Sequence, residues 1–127
     1  METNLFANAT FNFAWEMPLK ISLFEEDFSI VVSADAYFPS DEITEEQAKA
    51  YKSFLENYNE IIANTEQKLI EEGKTKENAL DRFIPKMLKI KRNGDFGIVF
   101  DDKEDFENGL VVTIKPKYEL MSTDEYF

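Results

Sequence analysis

The sequence contains neither cysteine nor histidine. Without thiols there is no disulfide framework and no thiolate nucleophile. Without imidazole there is no Ser-His or Cys-His pair, and the most common metal ligand is missing. Ordinary zinc sites are excluded because both of their main ligand types are absent. Catalysis would depend on carboxylates, lysine or tyrosine alone. We therefore predict a protein that is not an enzyme, with no catalytic residues, no metal and no cofactor.

Glycine and long apolar runs are also scarce. The four glycines are scattered, and no G-x-x-x-x-G-K-[ST] phosphate-binding loop occurs. No stretch has the length and apolarity of a membrane span. The first ten residues, METNLFANAT, lack the basic and apolar regions of a signal peptide. We expect a cytoplasmic protein that does not bind membranes. The 127 residues, 43% of them apolar, predict a single domain over residues 1–127.

The sequence contains few positively charged residues, and the net charge is distributed unevenly along the chain. The net charge is −12. Residues 1–73 hold fifteen acids and four bases, a net charge of −11, whereas residues 74–127 hold eleven acids and ten bases. Such a field repels nucleic acid and favours basic partners. Two interpretations remain open: the acids keep the protein soluble, or they form a face that docks on a basic protein.

One long helix is predicted over residues 44–73. Apolar residues recur there at three- and four-residue steps, which is the period of one helical face. Thr44 and Gln47 have the spacing of a capping box, and Gly73 suits the end of the helix. Such a helix would be about 43 Å long. A domain of this size needs a shorter helix. We therefore expect the C-terminal part of the helix to project, to kink near Asn64 or to pack against another subunit.

Alternating apolar and polar residues predict strands on both sides of this helix. Three strands precede it, over residues 11–15, 19–23 and 28–36, with Pro18 breaking the chain between the first two. After it, Thr75 begins a short helix that ends by Pro85. A three-stranded meander follows, with a hairpin turn at Asn93-Gly94. The predicted fold is α+β, an antiparallel sheet of about six strands in the order β3-α-α-β3, packed on one long helix. Whether both strand groups share one sheet stays open.

The segment DDKEDFENG, residues 101–109, is an acidic loop between two of these strands. It fails the EF-hand pattern, because Lys103 stands at the third position and Phe106 stands where glycine is needed. A looser cation site and a solvated hairpin loop remain as alternatives. Carboxylate pairs such as Asp101 and Asp105 would suit glycosidase chemistry, but acid pairs are common throughout this chain.

The order of these parts resembles a family of small uncharacterised bacterial proteins. Its helix motif is similar to EEQAKAYKSFLEN, Glu45 to Asn57, and its later hairpin motif is similar to ENGLVV, Glu107 to Val112. The closing STDEYF is similar to the family's usual ending. Asn108 replaces a histidine of the family motif. The resemblance implies a cytoplasmic α+β domain with no established activity, and some relatives are found near toxin–immunity loci. An acidic immunity protein would suit a basic nuclease toxin.

Three functional hypotheses follow. The first is a non-enzymatic protein-binding domain, immunity-like, whose acidic face binds a basic protein. The second is a structural module that forms a homodimer through the long helix. The third is a hydrolase that uses carboxylates alone. For the first, the candidate contacts lie on the exposed side of the helix and in the acidic loop: Glu45, Glu56, Glu60, Glu66, Asp101, Asp102, Glu104, Asp105, Glu107 and Asn108.

Overall fold

The computed structural model describes residues 5–127 and confirms the α+β class. The described residues form seven strands and four helices. In chain order these are β1 (Thr10–Phe11), β2 (Ala14–Leu23), β3 (Glu26–Asp35), α1 (Glu45–Glu56), α2 (Tyr58–Gly73), α3 (Lys76–Arg82), β4 (Phe83–Ile90), β5 (Phe96–Asp102), β6 (Leu110–Lys115), β7 (Glu119–Met121) and α4 (Thr123–Tyr126). No helix within residues 5–127 combines the length and the apolarity needed to cross a membrane.

All seven strands belong to one sheet, in which they lie side by side in chain order. The two predicted strand groups therefore share a sheet, and they meet where β3 pairs with β4. That pair is parallel, with Val31 opposite Met87 and Ala34 opposite Ile90. The prediction of a purely antiparallel sheet was wrong. The three helices between β3 and β4 return the chain to the starting end of β3, which is what a parallel connection requires.

The prediction of one long helix was also wrong, because α1 ends at Glu56 and α2 begins at Tyr58. Asn57 separates them with φ −110° and ψ 24°, and its side-chain amide donates a hydrogen bond to the carbonyl of Ser53 at 3.0 Å. Asparagine competes for backbone groups in this way, which interrupts helices. The break thus comes at Asn57 and not near Asn64, which lies inside α2.

The apolar faces of both helices pack on one face of the sheet. Phe54 of α1 and Leu69 of α2 are fully buried against strand residues such as Val32, Leu88 and Ile98. Most of the predicted helical face is confirmed as the helix side of this core, but Leu55, which the pattern also assigns to that face, is 41% exposed and lies outside the core. The opposite face of the sheet carries a smaller apolar cluster, in which Tyr126 of α4 packs on β5 and β6.

The buried side chain of Gln47 connects α1 to the centre of the sheet. Its Nε2 donates to the carbonyl oxygens of Asp35 at 2.9 Å and Ile90 at 3.3 Å, the last residues of β3 and β4. Its Oε1 accepts the N–H of Thr44 at 3.0 Å, while Thr44 Oγ1 accepts the N–H of Gln47. The predicted capping box is confirmed, and the same glutamine also satisfies two carbonyls at the end of the parallel pair.

Pro18 does not break a strand, contrary to the prediction, but lies within β2 opposite Val31. Two contacts show which residues of β2 point their backbone groups outward. The carbonyl of Ala14 accepts the N–H of Asn12, and the N–H of Ser22 donates to the hydroxyl of Tyr58 at 2.7 Å. Even-numbered residues therefore face the edge, and Pro18 is among them. Proline is tolerated there because its missing N–H removes no bond of the ladder.

β1 covers the outer edge of β2 at Trp15 and Glu16, and these contacts close much of the rest of that edge to further strands. Pro18 offers no donor, and Tyr58 occupies the donor of Ser22. We predict that the double variant Pro18→Val, Tyr58→Phe associates through this edge, because it restores one unpaired N–H and frees another. Sedimentation velocity over a range of concentrations would show dimers or larger species. Pro39→Val, in an exposed loop outside the sheet, is the control, and association of that variant to the same degree would contradict the prediction.

Gln47→Leu should strongly destabilise the fold. The substitution keeps the volume but leaves two buried carbonyls and the N–H of Thr44 without their partner. We expect a loss of about 2–4 kcal/mol in the free energy of unfolding, measured by urea denaturation. The exposed Gln67 of α2 provides the matched control, and Gln67→Leu should change stability by less than about 0.5 kcal/mol. Equal losses in the two variants would show that the contacts of Gln47 contribute little.

Candidate functional site

A buried ion pair joins α3 to β5 at one end of the sheet. Arg82 is the last residue of α3, and Asp102 is the last residue of β5. The Nε of Arg82 lies 2.8 Å from Oδ1 of Asp102, and its Nη2 lies 2.9 Å from Oδ2. Their side chains are only 19% and 6% exposed. Two parallel charge-assisted bonds of this kind set both the distance and the orientation of the two elements.

The pair also determines the ionisation of Asp102. The hydrogen bond from Arg82 lowers the pKa of the Asp102 carboxyl below its ordinary value, and burial opposes this effect. The backbone N–H of Glu104, which donates to Oδ1 at 2.9 Å, lowers the pKa further. The hydrogen bond between Arg82 and Asp102 also raises the pKa of the Arg82 guanidinium group. Asp102 is therefore ionised at neutral pH and fully engaged within the fold.

The acidic loop over residues 103–109 is built on this pair. The N–H of Lys103 donates to the carbonyl of Arg82, and the N–H of Asp105 donates to the carbonyl of Asp102, both at 2.9 Å. Asp105 in turn accepts bonds from Asn108, and Gly109 closes the loop with a φ of 61°. The loop is thus ordered by its own hydrogen bonds. Its exposed residues include Glu104, Asp105, Glu107 and Asn108.

A wide cleft of about 800 Å³ lies beside this loop. Three carboxylates line it, those of Glu26 at the start of β3 and of Glu77 and Asp81 on α3, together with the ammonium group of Lys103. Leu80 and Ile84 supply apolar parts of its wall. Glu77 and Asp81 share one face of α3 because they are four residues apart. We use the name acidic end for these four charged residues together with the exposed loop acids Glu104, Asp105 and Glu107.

The structure separates the predicted contact residues into several places. Glu45 lies in the first turn of α1, close to the ends of β3 and β4, whereas Asp101 and Asp102 pair with the start of β4. The eight residues of β4 place these positions about 23 Å apart. Glu56 and Glu60 flank the break at Asn57, on the exposed side of the helices.

Six of the predicted residues make side-chain contacts within the protein. Asp105 and Asn108 bond each other, and Oε2 of Glu104 lies 3.5 Å from Nε of Arg82. Glu66 is half-buried and accepts the N–H of Phe24 at 2.6 Å, which holds the β2–β3 turn. Asp102 is paired with Arg82, as described above. Asp101 lies 3.4 Å from the Nζ of Lys86 in a pair whose side chains are 42% and 54% exposed. Glu66 and Asp102 therefore have structural roles, and Asp101 is half-exposed beside a lysine.

Sequence reasoning missed Glu26, Glu77 and Asp81. The spacing of Glu77 and Asp81 after the Thr75 cap was a usable signal, because it places both acids on one face of the short helix. Nothing in the sequence pattern connects that face with Glu26, some fifty residues earlier. Within residues 5–127, no group of three or more carboxylates is arranged so that it could hold a metal ion.

The stability of the Arg82–Asp102 pair should depend on pH. Since the folded-state pKa of Asp102 is lowered, the pair stabilises the fold above the ordinary aspartate pKa of about 4. This contribution is lost as the pH falls through the folded-state pKa. Asp102→Asn should lower the free energy of unfolding by about 3 kcal/mol at neutral pH, and the difference from wild type should shrink by about pH 3. Urea denaturation at both pH values measures it.

Asp101→Asn is the matched control for that variant. It removes the neighbouring carboxylate, whose pair with Lys86 is exposed to solvent, and should change the free energy of unfolding by about 0.5 kcal/mol or less. A loss for Asp102→Asn that stays constant down to acidic pH would contradict the assigned role of the ionised carboxylate.

Comparison with known proteins identifies a family but no activity. Residues 5–105 match the family described as domain of unknown function DUF6985. The matched region contains β1 to β5, the first three helices and the cleft residues Glu26, Glu77 and Asp81. No curated protein and no solved structure gives a significant match. The expectation of an uncharacterised family is confirmed, because the chain belongs to the DUF6985 family, a domain of unknown function.

Proposed function

We propose that this chain is a protein-binding domain that docks a basic protein on its acidic end. The observation that supports this most directly is the cleft, where Glu26, Glu77 and Asp81 come together from β3 and α3. The loop adds Glu104, Asp105 and Glu107 beside it. Tertiary structure thus concentrates carboxylates that are distant in the chain. The apolar wall residues Leu80 and Ile84 add surface that a partner could bury.

Electrostatics favours a basic partner for this surface. The chain carries a net charge of −12, which attracts a basic protein over longer distances and raises its association rate at low salt. Individual exposed carboxylates contribute little affinity. We therefore expect the acidic end to act mainly through steering and specificity, with a strong dependence on salt.

We further propose that the protein acts without catalysis. The two carboxylates considered for glycosidase chemistry are occupied by neighbours, since Asp101 pairs with Lys86 and Asp105 bonds Asn108. Covering a basic toxin would be one form of such binding, and the resemblance to proteins found near toxin–immunity loci supports it by analogy. In that role the protein would act in the bacterial cytoplasm.

The main reason for the homodimer hypothesis, an over-long helix, no longer holds. It depended on a single helix too long for the domain, and the break at Asn57 divides that helix into segments of 12 and 16 residues. Both segments pack on the sheet, so no projecting length remains to be covered by another copy.

Removal of the cleft charges should weaken partner binding. We predict that Glu26→Gln, Glu77→Gln, Asp81→Asn lowers the affinity of the partner about tenfold or more, because the partner loses its charge complement. The protein would first be used to capture partners from lysate of the source organism at low salt. Isothermal titration calorimetry with the recovered partner then compares wild type and variant at low and high salt.

The control removes the same number of charges elsewhere. Glu45→Gln, Glu56→Gln, Glu60→Gln leaves the cleft intact and raises the net charge by the same amount. We expect this helix variant to retain most of the affinity. Equal loss in both variants would show that net charge alone matters, and binding that is insensitive to salt and to both variants would refute the acidic end as the docking surface.

A further inference from the structure

Three large aromatic side chains are exposed together at the other end of the sheet. Phe13 is 91% exposed, Tyr37 80% and Phe38 65%. Ala14 pairs with Asp35, so Phe13 precedes β2 and Tyr37 and Phe38 follow β3 at the same end. Large aromatic residues are enriched at the centre of protein interfaces. We call these three residues the aromatic end.

Specific contacts fix the backbone of the segments that carry these side chains. Phe13 has a φ of 64°, a left-handed conformation that is unfavourable for a bulky residue. The N–H groups of Tyr37 and Phe38 both donate to Oδ2 of Asp41, at 2.9 and 3.0 Å. The indole N–H of Trp15 donates to the carbonyl of Asp41 at 2.6 Å. The loop is thus ordered before any partner arrives, which lowers the entropy cost of binding.

A pocket of about 310 Å³ opens close to this loop. Its lining residues are Phe6, Trp15, Glu42 and Ile43, three apolar side chains and one carboxylate. The indole that lines it also donates to the carbonyl of Asp41, so the pocket adjoins the loop that carries Tyr37 and Phe38. Its shape and chemistry suit a long side chain with an apolar stem and a cationic tip, because aromatic faces attract cations and Glu42 supplies the opposite charge.

The charged side chains on the segments that form this surface are all acidic. Residues 5–16 and 35–43 contain Glu16, Asp35, Asp41 and Glu42 but no lysine or arginine. Two cations contact this end of the sheet: the Nζ of Lys89 lies 2.5 Å from Oδ1 of Asp35, and Nη1 of Arg92 donates to the backbone carbonyls of Glu42 at 2.9 Å and Asp35 at 3.2 Å. Nη1 of Arg92 is therefore engaged with backbone carbonyls, while Asp35 is paired with Lys89 and Glu42 lines the pocket.

We propose that the aromatic end is a second interaction surface, which binds a basic protein segment through one anchoring arginine. The arginine side chain enters the pocket, where its guanidinium pairs with Glu42 and its stem lies against Trp15. Phe13, Tyr37 and Phe38 pack on the residues that flank the anchor. Arginine fits better than lysine because its planar group stacks on aromatic rings. This surface lies about 30 Å from the acidic end along β3, and the proposal does not depend on the function proposed for that end.

Trp15 allows the site to be tested directly, since it is the only tryptophan in the chain. The probe is the peptide acetyl-Gly-Arg-Gly-amide, titrated to about 10 mM into the nitrogen-15-labelled protein, and its control is the same peptide with neutral citrulline in place of arginine. We expect the arginine peptide to shift the indole resonance of Trp15 and the amide resonances of residues 37–43. Shifts of equal size with the citrulline peptide, or no shift at these residues, would overturn the proposal.

Two variants test the arginine-binding pocket and the three exposed aromatic residues independently. Glu42→Gln should weaken binding of the arginine peptide about three- to fivefold, because it removes the ion pair. Phe13→Asn, Tyr37→Ser, Phe38→Ser should leave this minimal peptide bound but reduce the affinity of a longer peptide with apolar residues beside the arginine. Unchanged binding in Glu42→Gln would overturn the assigned anchor, and an unchanged affinity for the longer peptide in the triple variant would overturn the role of the three aromatic residues.

Two further outcomes are informative. The cleft variant Glu26→Gln, Glu77→Gln, Asp81→Asn should give the same Trp15 shifts as wild type, and loss of those shifts would show that the peptide binds the acidic end instead. Self-association of the wild-type protein that disappears in the aromatic triple variant, seen by sedimentation, would assign the surface to a second copy of this chain and overturn the proposal of a basic segment.

Discussion

The structure depends on the parallel pairing of β3 with β4 and on the glutamine that closes it. Gln47 is buried, caps α1 through Thr44 and donates to the last carbonyls of both strands. A buried amide with all of its partners permits few alternative arrangements, since each lost bond leaves an unsatisfied polar group. Through this one side chain the start of the helical layer is held at the end of the sheet. The two strand groups thereby become one sheet, and both contribute to the main core on its helix-covered face.

The same arrangement gives the sheet two ends with different chemistry. At the starting end of β3, Arg82 and Asp102 organise a loop and a cleft that are rich in carboxylates. At the other end, Trp15 and Asp41 hold a loop that presents aromatic side chains to solvent. Between them, the outer edge of β2 is blunted by Pro18 and Tyr58, which directs interactions away from strand addition. The two proposed surfaces thus lie where strands end and loops begin, as is common for binding sites.

The candidate site was predicted only in part, and the reason is physical. An acidic loop over residues 101–109 is visible in the sequence, but the sequence does not show that Asp102 is buried against Arg82 while its neighbour Asp101 is half-exposed. Nor does it show that Glu66 serves as an acceptor for Phe24. A sequence pattern cannot distinguish one carboxylate from another, because the role of each depends on which hydrogen-bond donor lies within about 3 Å. That distance is determined by contacts between residues 20 to 42 positions apart.

The sequence by itself determined the local features. The period of the helices, the caps at Thr44 and Thr75 and the turn at Asn93-Gly94 follow from interactions within a few residues, and all are present. Only the tertiary structure decided the break at Asn57, the parallel pair and the place of Pro18 within β2. Each of these depends on how distant segments share hydrogen bonds and apolar surface. The acidic cleft is of the same kind, since Glu26 meets Glu77 and Asp81 only after β3 and α3 have packed.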